Sequence, residues 1–506
     1  MSPVLAPPRV TLEVDGQPLD PAAAGSLADV VVRQLLSAPT VCELAFVDPP
    51  ASPSLAERLG PGSPLRLGVE AAEGALFLGE VTAIEHVVDP AHGREIRVRA
   101  YDALHRLRKR QGPRTRVGVT PRDLAAELVA DVGLTVETTD PGPTWARLIQ
   151  HRQSDLELLL DVCERSGLYA TVDDGVLRLL PLSGFGEAVR LTLGETLLEA
   201  AIETNGDPAT RSVTALGWDP GRIESHRGTA DTARSGRTAG AAVEPGTLGG
   251  TGERTLLDEA AADDRQAAAL AQAELDRRVA REVVFRGVAA GDPRLRPGRP
   301  IEIAGVGQTV DGRYVLTEVR HTIERGRGFL SELSSEPPEP APRPWAATVT
   351  TGTVRSADDP DGLGRVQVAL PTFGDVETPW LGVVSVGAGS GKGIVALPDA
   401  GDQVLVLLAH EDPARGIVLG GLYGAGGPPD SGVVGGSVRR YTLLTSGGQR
   451  IRLDDERRSI RFEDSQGSYV ELAPDLVRIH AAADLEIEAP GRAVRIRAAS
   501  VDFETG

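Results

Sequence analysis

The chain has few cysteines, few lysines and few aromatic residues. Cys42 and Cys163 are its only cysteines in 506 residues, which excludes a disulfide-rich scaffold and any Cys-x-x-Cys metal or redox motif. Both cysteines lie among apolar residues, so we expect them in the core. No apolar run reaches the roughly 18 residues of a membrane helix. The first residues lack the basic start and apolar stretch of a signal peptide, so we expect none.

Positive charge is also scarce. Lysine and arginine number 53 against 72 acidic residues, which gives a net charge of −19. A general nucleic-acid binder needs a basic surface to contact phosphates. We therefore expect no nucleic-acid partner.

Glycine and proline are plentiful, with 59 and 37 residues. Together they predict many turns and therefore many short strands. A chain of this length is expected to form about three to five domains. The predicted class is mainly β, with helices confined to a few segments.

The first two thirds of the chain divide by pattern. Residues 1–110 alternate apolar and polar residues, as strands do. Residues 111–182 contain two helix starts, Thr120–Asp123 and the capping box Ser154–Glu157, followed by a hairpin at Asp174-Gly175. Residues 183–335 return to strands with one Ala-rich helix. Within them, residues 226–253 have few large apolar side chains, so we expect a mobile loop there.

A Pro-rich segment, residues 336–346, is predicted to be an extended, semi-rigid spacer and the clearest domain boundary. Residues 347–424 then carry five short strands, with the turn Asp359-Pro360-Asp361-Gly362 between the first two. Five short strands in this length are typical of a small closed barrel such as an OB-fold.

The tail, residues 436–506, repeats an apolar pair at i, i+2 spacing, which places both members on one face of a strand. The pairs are Ile451/Leu453, Ile460/Phe462, Val470/Leu472, Val477/Ile479, Leu485/Ile487, Val494/Ile496 and Val501/Phe503. A single-chain solenoid built from these strands has little more than two coils and a poor core. Three chains wound together would enclose every pair in a three-sided prism, and symmetric homotrimers are a common closed assembly.

Several stretches resemble the VgrG family of baseplate spikes. DPDGLGRVQVALP (359–371) and PWLGVVSVGAGSGKGIVALPDAGDQVLVLLAHEDPARGIVLGGLYG (379–424) resemble its OB domain. TSGGQRIRLDD (445–455) resembles the entry to its β-helix. YDALHRLRKR (101–110), GVTPRDLAAELVADVGL (118–134) and HRQSDLELLLDVCERSGLYATVDDGVLRL (151–179) resemble its tail-hub domain. The resemblance covers nearly the whole chain.

The resemblance implies a fold class that is mainly β with an α+β hub. Residues 1–110 and 183–335 would be two hub β-barrels, and 111–182 a helical insertion. The OB-fold barrel and a C-terminal trimeric β-helix, or prism, would follow. Among phage spikes, type VI secretion spikes and spikes of extracellular phage-like systems, the short β-helix and the lack of an extra domain favour the last.

The resemblance also implies partners. The protein would be a homotrimer that contacts inner tube and baseplate proteins, carries a PAAR-like tip protein and meets a membrane only transiently on puncture. It would assemble in the bacterial cytoplasm, in a particle that acts outside the producing cell. The predicted prism core is Ile451, Leu453, Ile460, Phe462, Val470, Leu472, Val477, Ile479, Leu485, Ile487, Val494 and Ile496. The tip protein would contact Val501, Phe503 and Glu504, at the last apolar pair.

No motif predicts catalysis, a metal or a cofactor. Gly387–Gly393 lacks the Walker spacing, and Asp359 and Asp361 lack the spacing of a calcium loop. The histidines form no HExxH or HxH pattern; they are His86, His92, His105, His151, His226, His321, His410 and His480. Acidic pairs such as Asp454/Asp455 and Glu463/Asp464 are expected by chance among 72 acids.

Two other functions compete with the structural one. A carbohydrate-active β-helix enzyme with accessory binding modules is the main alternative, although such an enzyme needs many coils and a carboxylate cleft. An oligonucleotide-binding barrel is the other. It needs stacking aromatics and basic residues, whereas the only aromatics in the barrel are Phe373, Trp380 and Tyr423.

Overall fold

A computed structural model describes residues 8–50, 55–70, 74–89, 93–220, 222–240, 242–343 and 346–504. These residues form two compact units, one ending at Gly421 and one beginning at Leu422. No helix among them is long and apolar enough to span a bilayer. His92, Pro344 and the extreme ends of the chain lie outside the described residues.

Strands dominate both units. The α-helices are α1 (Pro21–Gly25), α2 (Leu55–Arg58), α3 (Pro121–Val129), α4 (Asp155–Arg165) and α5 (Asp264–Glu282). Short 3-10 helices cover Ala103–Lys109, Pro245–Leu248, Pro371–Phe373, Ala409–Glu411 and Pro413–Arg415. The strands of the first unit are β1 (Val10–Val14), β2 (Gln17–Pro18), β3 (Leu27–Leu35), β4 (Val41–Val47), β5 (Pro64–Val69), β6 (Ala75–Asp89), β7 (Gly93–Tyr101), β8 (Arg114–Val119), β9 (Thr135–Thr138), β10 (Trp145–Gln150), β11 (Tyr169–Asp173), β12 (Val176–Leu180), β13 (Val189–Thr192), β14 (Leu197–Thr204), β15 (Ser212–Asp219), β16 (Glu224–Ala230), β17 (Glu253–Glu259), β18 (Val283–Ala290), β19 (Pro300–Ala304), β20 (Gly312–Val315), β21 (Glu318–Glu324), β22 (Gly328–Ser334), β23 (Thr348–Ser356), β24 (Gln367–Leu370), β25 (Val376–Glu377), β26 (Gly382–Val383), β27 (Gln403–Leu408) and β28 (Gly416–Gly421). Those of the second unit are β29 (Val433–Val434), β30 (Ser437–Val438), β31 (Arg440–Leu444), β32 (Arg450–Asp454), β33 (Ser459–Glu463), β34 (Tyr469–Leu472) and β35 (Val477–His480).

One eleven-stranded sheet joins the two segments predicted as hub barrels. Its order is β14-β18-β22-β21-β3-β4-β7-β6-β5-β1-β2. The two segments meet where β21 pairs antiparallel with β3, from Glu318 opposite Leu35 to Glu324 opposite Asp29. Two buried clusters lie on this sheet, one around Phe46 and one around Phe285. The cluster around Phe46 also contains Ile323 and Phe329 of the second segment, so the two hub segments share part of their core.

The helical insertion begins where the sequence predicts. Thr120 Oγ1 accepts a hydrogen bond from Asp123 N at 3.2 Å, and Ser154 Oγ accepts one from Glu157 N at 3.3 Å. Both helices carry complete capping boxes, which satisfy backbone donors that a helix start leaves free. The apolar stripes of α3 and α4 pack into one cluster that includes Cys163.

Part of the segment 226–253, predicted to be a mobile loop, is regular structure: residues 226–230 belong to β16, residues 245–248 form a 3-10 helix and Glu253 begins β17. Strand β16 pairs with β15 and packs beneath α5, and β17 begins at Glu253. An ideal Cβ at Gly228 would lie 2.0 Å from the backbone nitrogen of Ala268, so only glycine allows this approach. The small residues that suggested disorder instead permit close backbone packing. Composition alone does not distinguish these two uses of Gly and Ala.

The Pro-rich segment 336–346 is docked along much of its length. Glu339 pairs with Arg281 at 2.7 Å, and the guanidinium of Arg343 pairs with Glu164 at 2.8 Å. The backbone N–H of Ala341 also donates to Glu164 at 3.0 Å. The first unit accordingly continues through this segment into the barrel and ends at Gly421.

The barrel contains the five predicted strands and one additional short strand, in the order β25-β24-β23-β27-β28-β26. Its core is made of aliphatic side chains, among them Val354, Val368 and Val406. The Asp359–Gly362 turn is closed by Arg365, whose guanidinium lies 2.7 Å from the carboxylates of both Asp359 and Asp361. This hydrogen-bonded pairing holds the pKa of Asp359 well below its usual value. The turn is an ion-paired corner of the barrel, as the tight-turn interpretation predicts.

Candidate self-assembly site

The second unit contains a five-stranded antiparallel meander in the order β31-β32-β33-β34-β35. The register aligns its apolar pairs into two cross-strand rows on one face. The first row is Tyr441, Leu453, Ile460, Leu472 and Val477. The second row is Leu443, Ile451, Phe462, Val470 and Ile479. We call these ten side chains the apolar face.

The apolar face has no cover from its own unit. Nine of its ten side chains are at least 37% exposed; Ile451 is partly buried. An open groove of about 470 Å³ follows the second row as far as Leu485. Monomeric proteins rarely leave large contiguous apolar surfaces in water, so this face is a candidate interaction site.

The opposite face of the same sheet is polar and carries ion pairs. The Arg461 guanidinium lies 3.7 Å from the centre of the Tyr469 ring and pairs with Glu463 at 3.2 Å. Glu471 lies 3.7 Å from Arg461 on the next strand. Charged pairs across strands stabilise the sheet modestly. Most of the exposed apolar side chains of the five strands therefore lie on the other face.

Hydrogen bonds to a single carboxylate, that of Asp430, anchor β31, the first strand of the meander. The Asp430 carboxylate accepts from Arg440 Nη2 at 2.8 Å and from Thr442 Oγ1 at 2.9 Å. These hydrogen bonds, that of Arg440 above all, hold the pKa of Asp430 well below its usual value. Asp430 thus fixes β31, which carries Tyr441 and Leu443.

Four of the seven predicted pairs lie on strands of this sheet, from Ile451/Leu453 to Val477/Ile479. The sequence analysis missed Tyr441/Leu443, although their i, i+2 spacing and their distance of ten residues from Ile451 match the repeat. Because the resemblance places the entry to the β-helix at residues 445–455, the pair Tyr441/Leu443 before it is not counted in the repeat.

The last three predicted pairs lie on no strand of the described chain. They are Leu485/Ile487, Val494/Ile496 and Val501/Phe503, and their side chains are between 51% and 91% exposed. Glu504 is exposed as well. A strand needs a neighbour to satisfy its backbone, and a single chain provides none here. The β-helix and its trimeric form stay predictions.

Two of the histidines considered for chemistry make well-defined contacts within the fold. His321 is fully buried, with Nδ1 2.8 Å from Ser331 Oγ and Nε2 3.1 Å from Leu295 O. His105 Nε2 lies 2.5 Å from a carboxylate oxygen of Glu80. Within the described ranges, no group of three or more His, Cys, Asp or Glu side chains could hold a metal ion.

A cavity of about 640 Å³ in the first unit lies between the helical insertion, the β15–β17 region and the barrel. Arg165 stacks 4.1 Å from the centre of the Trp145 ring in its wall. Arg415 donates to the carbonyl of Trp218 at 2.7 Å, and burial lowers the pKa of Arg415. The wall contains none of the predicted prism or tip residues.

Two family models match the chain. The model described as the Alg8 N-terminal domain matches residues 9–325. The model described as the type VI secretion system/phage-baseplate injector OB domain matches residues 350–423, which form the barrel. No protein of curated function matches by sequence.

Two solved structures share the fold. One is an Escherichia coli protein described as a component of the type VI secretion system, with structural similarity to the phage T4 tail proteins gp27 and gp5. It is 15% identical, with a TM-score of 0.54 over 81% of this chain and 99% of that chain. The other is a chain of the Francisella PdpA–VgrG complex, 8% identical, with a TM-score of 0.52 over 93% of this chain and 87% of that one. The predicted resemblance to VgrG-type baseplate proteins is confirmed.

Proposed function

The chain belongs to the family of the Alg8 N-terminal domain and also carries an injector OB domain, and from that OB domain we propose that it is a homotrimeric hub and spike in the baseplate of a contractile injection system. Its role is structural, without catalysis. The observation that carries the proposal is the uncovered apolar face, and its occupants are two further copies of the same chain.

The free energy available at this face supports assembly. Fully burying one Val, Leu, Ile or Phe side chain contributes about 1.5–3 kcal/mol, and nine of the ten side chains here are between 37% and 64% exposed. Covering them therefore contributes on the order of 10 kcal/mol per chain. Association costs roughly 4–15 kcal/mol. Burial of Leu485/Ile487, Val494/Ile496 and Val501/Phe503 would add to the gain and favour a stable complex.

Three copies fit this requirement better than two. Each chain supplies one sheet with a single apolar side, and three such sides close a prism that leaves every polar side in water. Closure also gives the residues after His480 neighbouring strands from other chains, which satisfies their backbone groups. A closed and fully paired prism is stiff, as puncture of a membrane or wall requires.

The distal end of the chain is proposed to carry a separate tip protein of the PAAR type. Phe503 is 91% exposed and Val501 is 51% exposed, and in a trimer three copies of each would cluster. Clustered exposed aromatic side chains are a liability unless a partner covers them. Inner tube and baseplate proteins are the proposed partners of the hub.

Light scattering of the full chain at micromolar concentration tests the proposal. We expect a particle of three times the chain mass of 53.1 kDa. Phe462→Asp places a charge on the apolar face and should dissociate the particle, because burying unpaired charges is strongly unfavourable. Arg458→Asp, a charge change in an exposed turn, is the matched control and should leave it intact. A stable monomeric parent chain would refute the proposal.

A further inference from the structure

The barrel carries an ordered hairpin, residues 384–397, with an apolar surface that its own core does not use. Val384 N donates to Val418 O at 2.8 Å, and Ile394 N donates to Val386 O at 3.0 Å. At the tip, Gly389 and Lys392 exchange backbone hydrogen bonds at 3.1 and 3.2 Å. The segment that suggested a phosphate loop is therefore a structured projection from the barrel, which we call the barrel hairpin.

Five aliphatic side chains of the barrel hairpin face solvent. They are Val384 (55% exposed), Val386 (74%), Ile394 (55%), Val395 (84%) and Leu397 (36%). Lys392 is the one charged residue among residues 384–397, in a chain with 25% charged residues. Exposed aliphatic groups without charge are typical of the centre of a protein–protein contact.

We propose that the barrel hairpin is a second contact between copies of this chain, by which the barrels of neighbouring protomers meet. The inference rests on the proposed trimer and adds a contact outside its apolar face. Charge supports a second copy as the occupant. Each chain has a net charge of −19, so two copies repel except where their surfaces lack acidic groups. The barrel hairpin is such a surface.

The length of the chain supports the same occupant. The barrel ends at Gly421 and the meander begins at Arg440, so 18 residues join them. These residues span at most about 60 Å when fully extended. In a trimer held by its tails, the three barrels are thus confined near one another at an effective concentration of about millimolar. A patch of five aliphatic side chains, too small to hold free copies together, can form a contact under that confinement.

Thiol labelling of the full-length trimer tests the contact. Val395→Cys places a thiol on the barrel hairpin, and Glu377→Cys places one on an exposed position of strand β25 of the same barrel as the control. The native thiols of Cys42 and Cys163 are fully buried and give little background. We expect a maleimide to label Val395→Cys at least ten times more slowly than Glu377→Cys in the trimer. With Phe462→Asp added to separate the chains, the two positions should label at similar rates.

The outcomes separate this inference from the proposed function. If the parent chain is trimeric and Val395→Cys labels as fast as Glu377→Cys, the barrel contact is refuted and the trimer stands. If Val395→Cys stays protected after the chains separate, its cover comes from its own chain, which also refutes the contact. A monomeric parent chain refutes both proposals. Fast labelling in the trimer that slows only when tube or baseplate proteins are added would assign the hairpin to those partners instead.

Discussion

The two units of the chain use apolar residues in opposite ways. In the first unit, side chains such as Phe46, Phe285 and Val406 are fully buried within their own chain. In the second unit, strands with a similar alternation leave nearly all of their apolar side uncovered. The first unit therefore has the cores of an independently folded body, whereas the second has half of a core. The comparison supports the proposal that copies of the same chain cover the tail.

Removing the tail should have the largest effect. A chain that stops after Gly435 lacks the apolar face, so we expect assembly to be lost while the first unit keeps its melting temperature. Light scattering and thermal unfolding followed by circular dichroism measure both. If the shortened chain is still trimeric, the main contact between chains lies in the first unit, and the second unit is not the part that drives assembly.

The next effect distinguishes the whole prism from the five-stranded meander. Ile487 is 71% exposed and lies on no strand, so Ile487→Asp should cost nothing in a single chain. In the predicted prism it would bring three charges into one core layer, at a cost of several kcal/mol or more. We expect a lower melting temperature and a weaker trimer. Glu488→Asp at the neighbouring exposed position is the control; equal stability of the two variants would show that Ile487 does not face inward.

Much of the first unit could be predicted from local chemistry. The capping boxes at Thr120 and Ser154 and the hairpin at Asp174-Gly175 depend on residues close in sequence, and each forms as expected. Residues 226–253 could not be predicted, because the packing of Gly228 against α5 joins residues about 40 positions apart. Docking of Arg343 on Glu164 is equally nonlocal.

The apolar pairs of the candidate site could be predicted from the sequence, but the number of strands that they form could not. Period-two alternation identified both members of each pair from Ile451 to Ile479, because that signal is carried by each strand alone. Whether Leu485/Ile487 and the later pairs form strands depends on neighbours that one chain does not contain. For the barrel hairpin, the sequence excludes the Walker spacing at Gly387–Gly393 but carries no pattern that indicates a contact with another chain.

Acid should destabilise the first unit through a buried histidine. Burial, together with the nearby Arg296, lowers the pKa of His321 to about 3, while its bond to Leu295 and the nearby Asp292 act weakly in the other direction. Because the unfolded chain binds this proton more tightly, His321 contributes stability that is present above about pH 6.5 and is lost as the pH falls toward 3. The loss is on the order of a few kcal/mol.

Thermal unfolding of the tail-less chain between pH 7 and pH 4 measures this loss. His321→Asn should be less stable at pH 7, because it disturbs the bonds to Ser331 and Leu295, and its stability should depend less on pH. A pH dependence identical to that of the parent would assign the effect to other groups.

The smallest expected effect on the assembly comes from the end of the tail. A chain truncated after Ser500 loses Val501, Phe503 and Glu504, the exposed residues proposed to bind a tip protein. Six other apolar pairs and Tyr441/Leu443 remain, so the trimer should keep its mass and nearly all of its thermal stability. Capture of a PAAR-type tip protein should be lost, because the clustered Phe503 rings that it would cover are gone. Phe503→Ala in the full chain removes only the ring and keeps the backbone of residues 501–506. It should weaken binding of the tip protein without changing the trimer. If the truncated trimer still binds the tip protein at the affinity of the parent, the docking surface lies elsewhere on the spike.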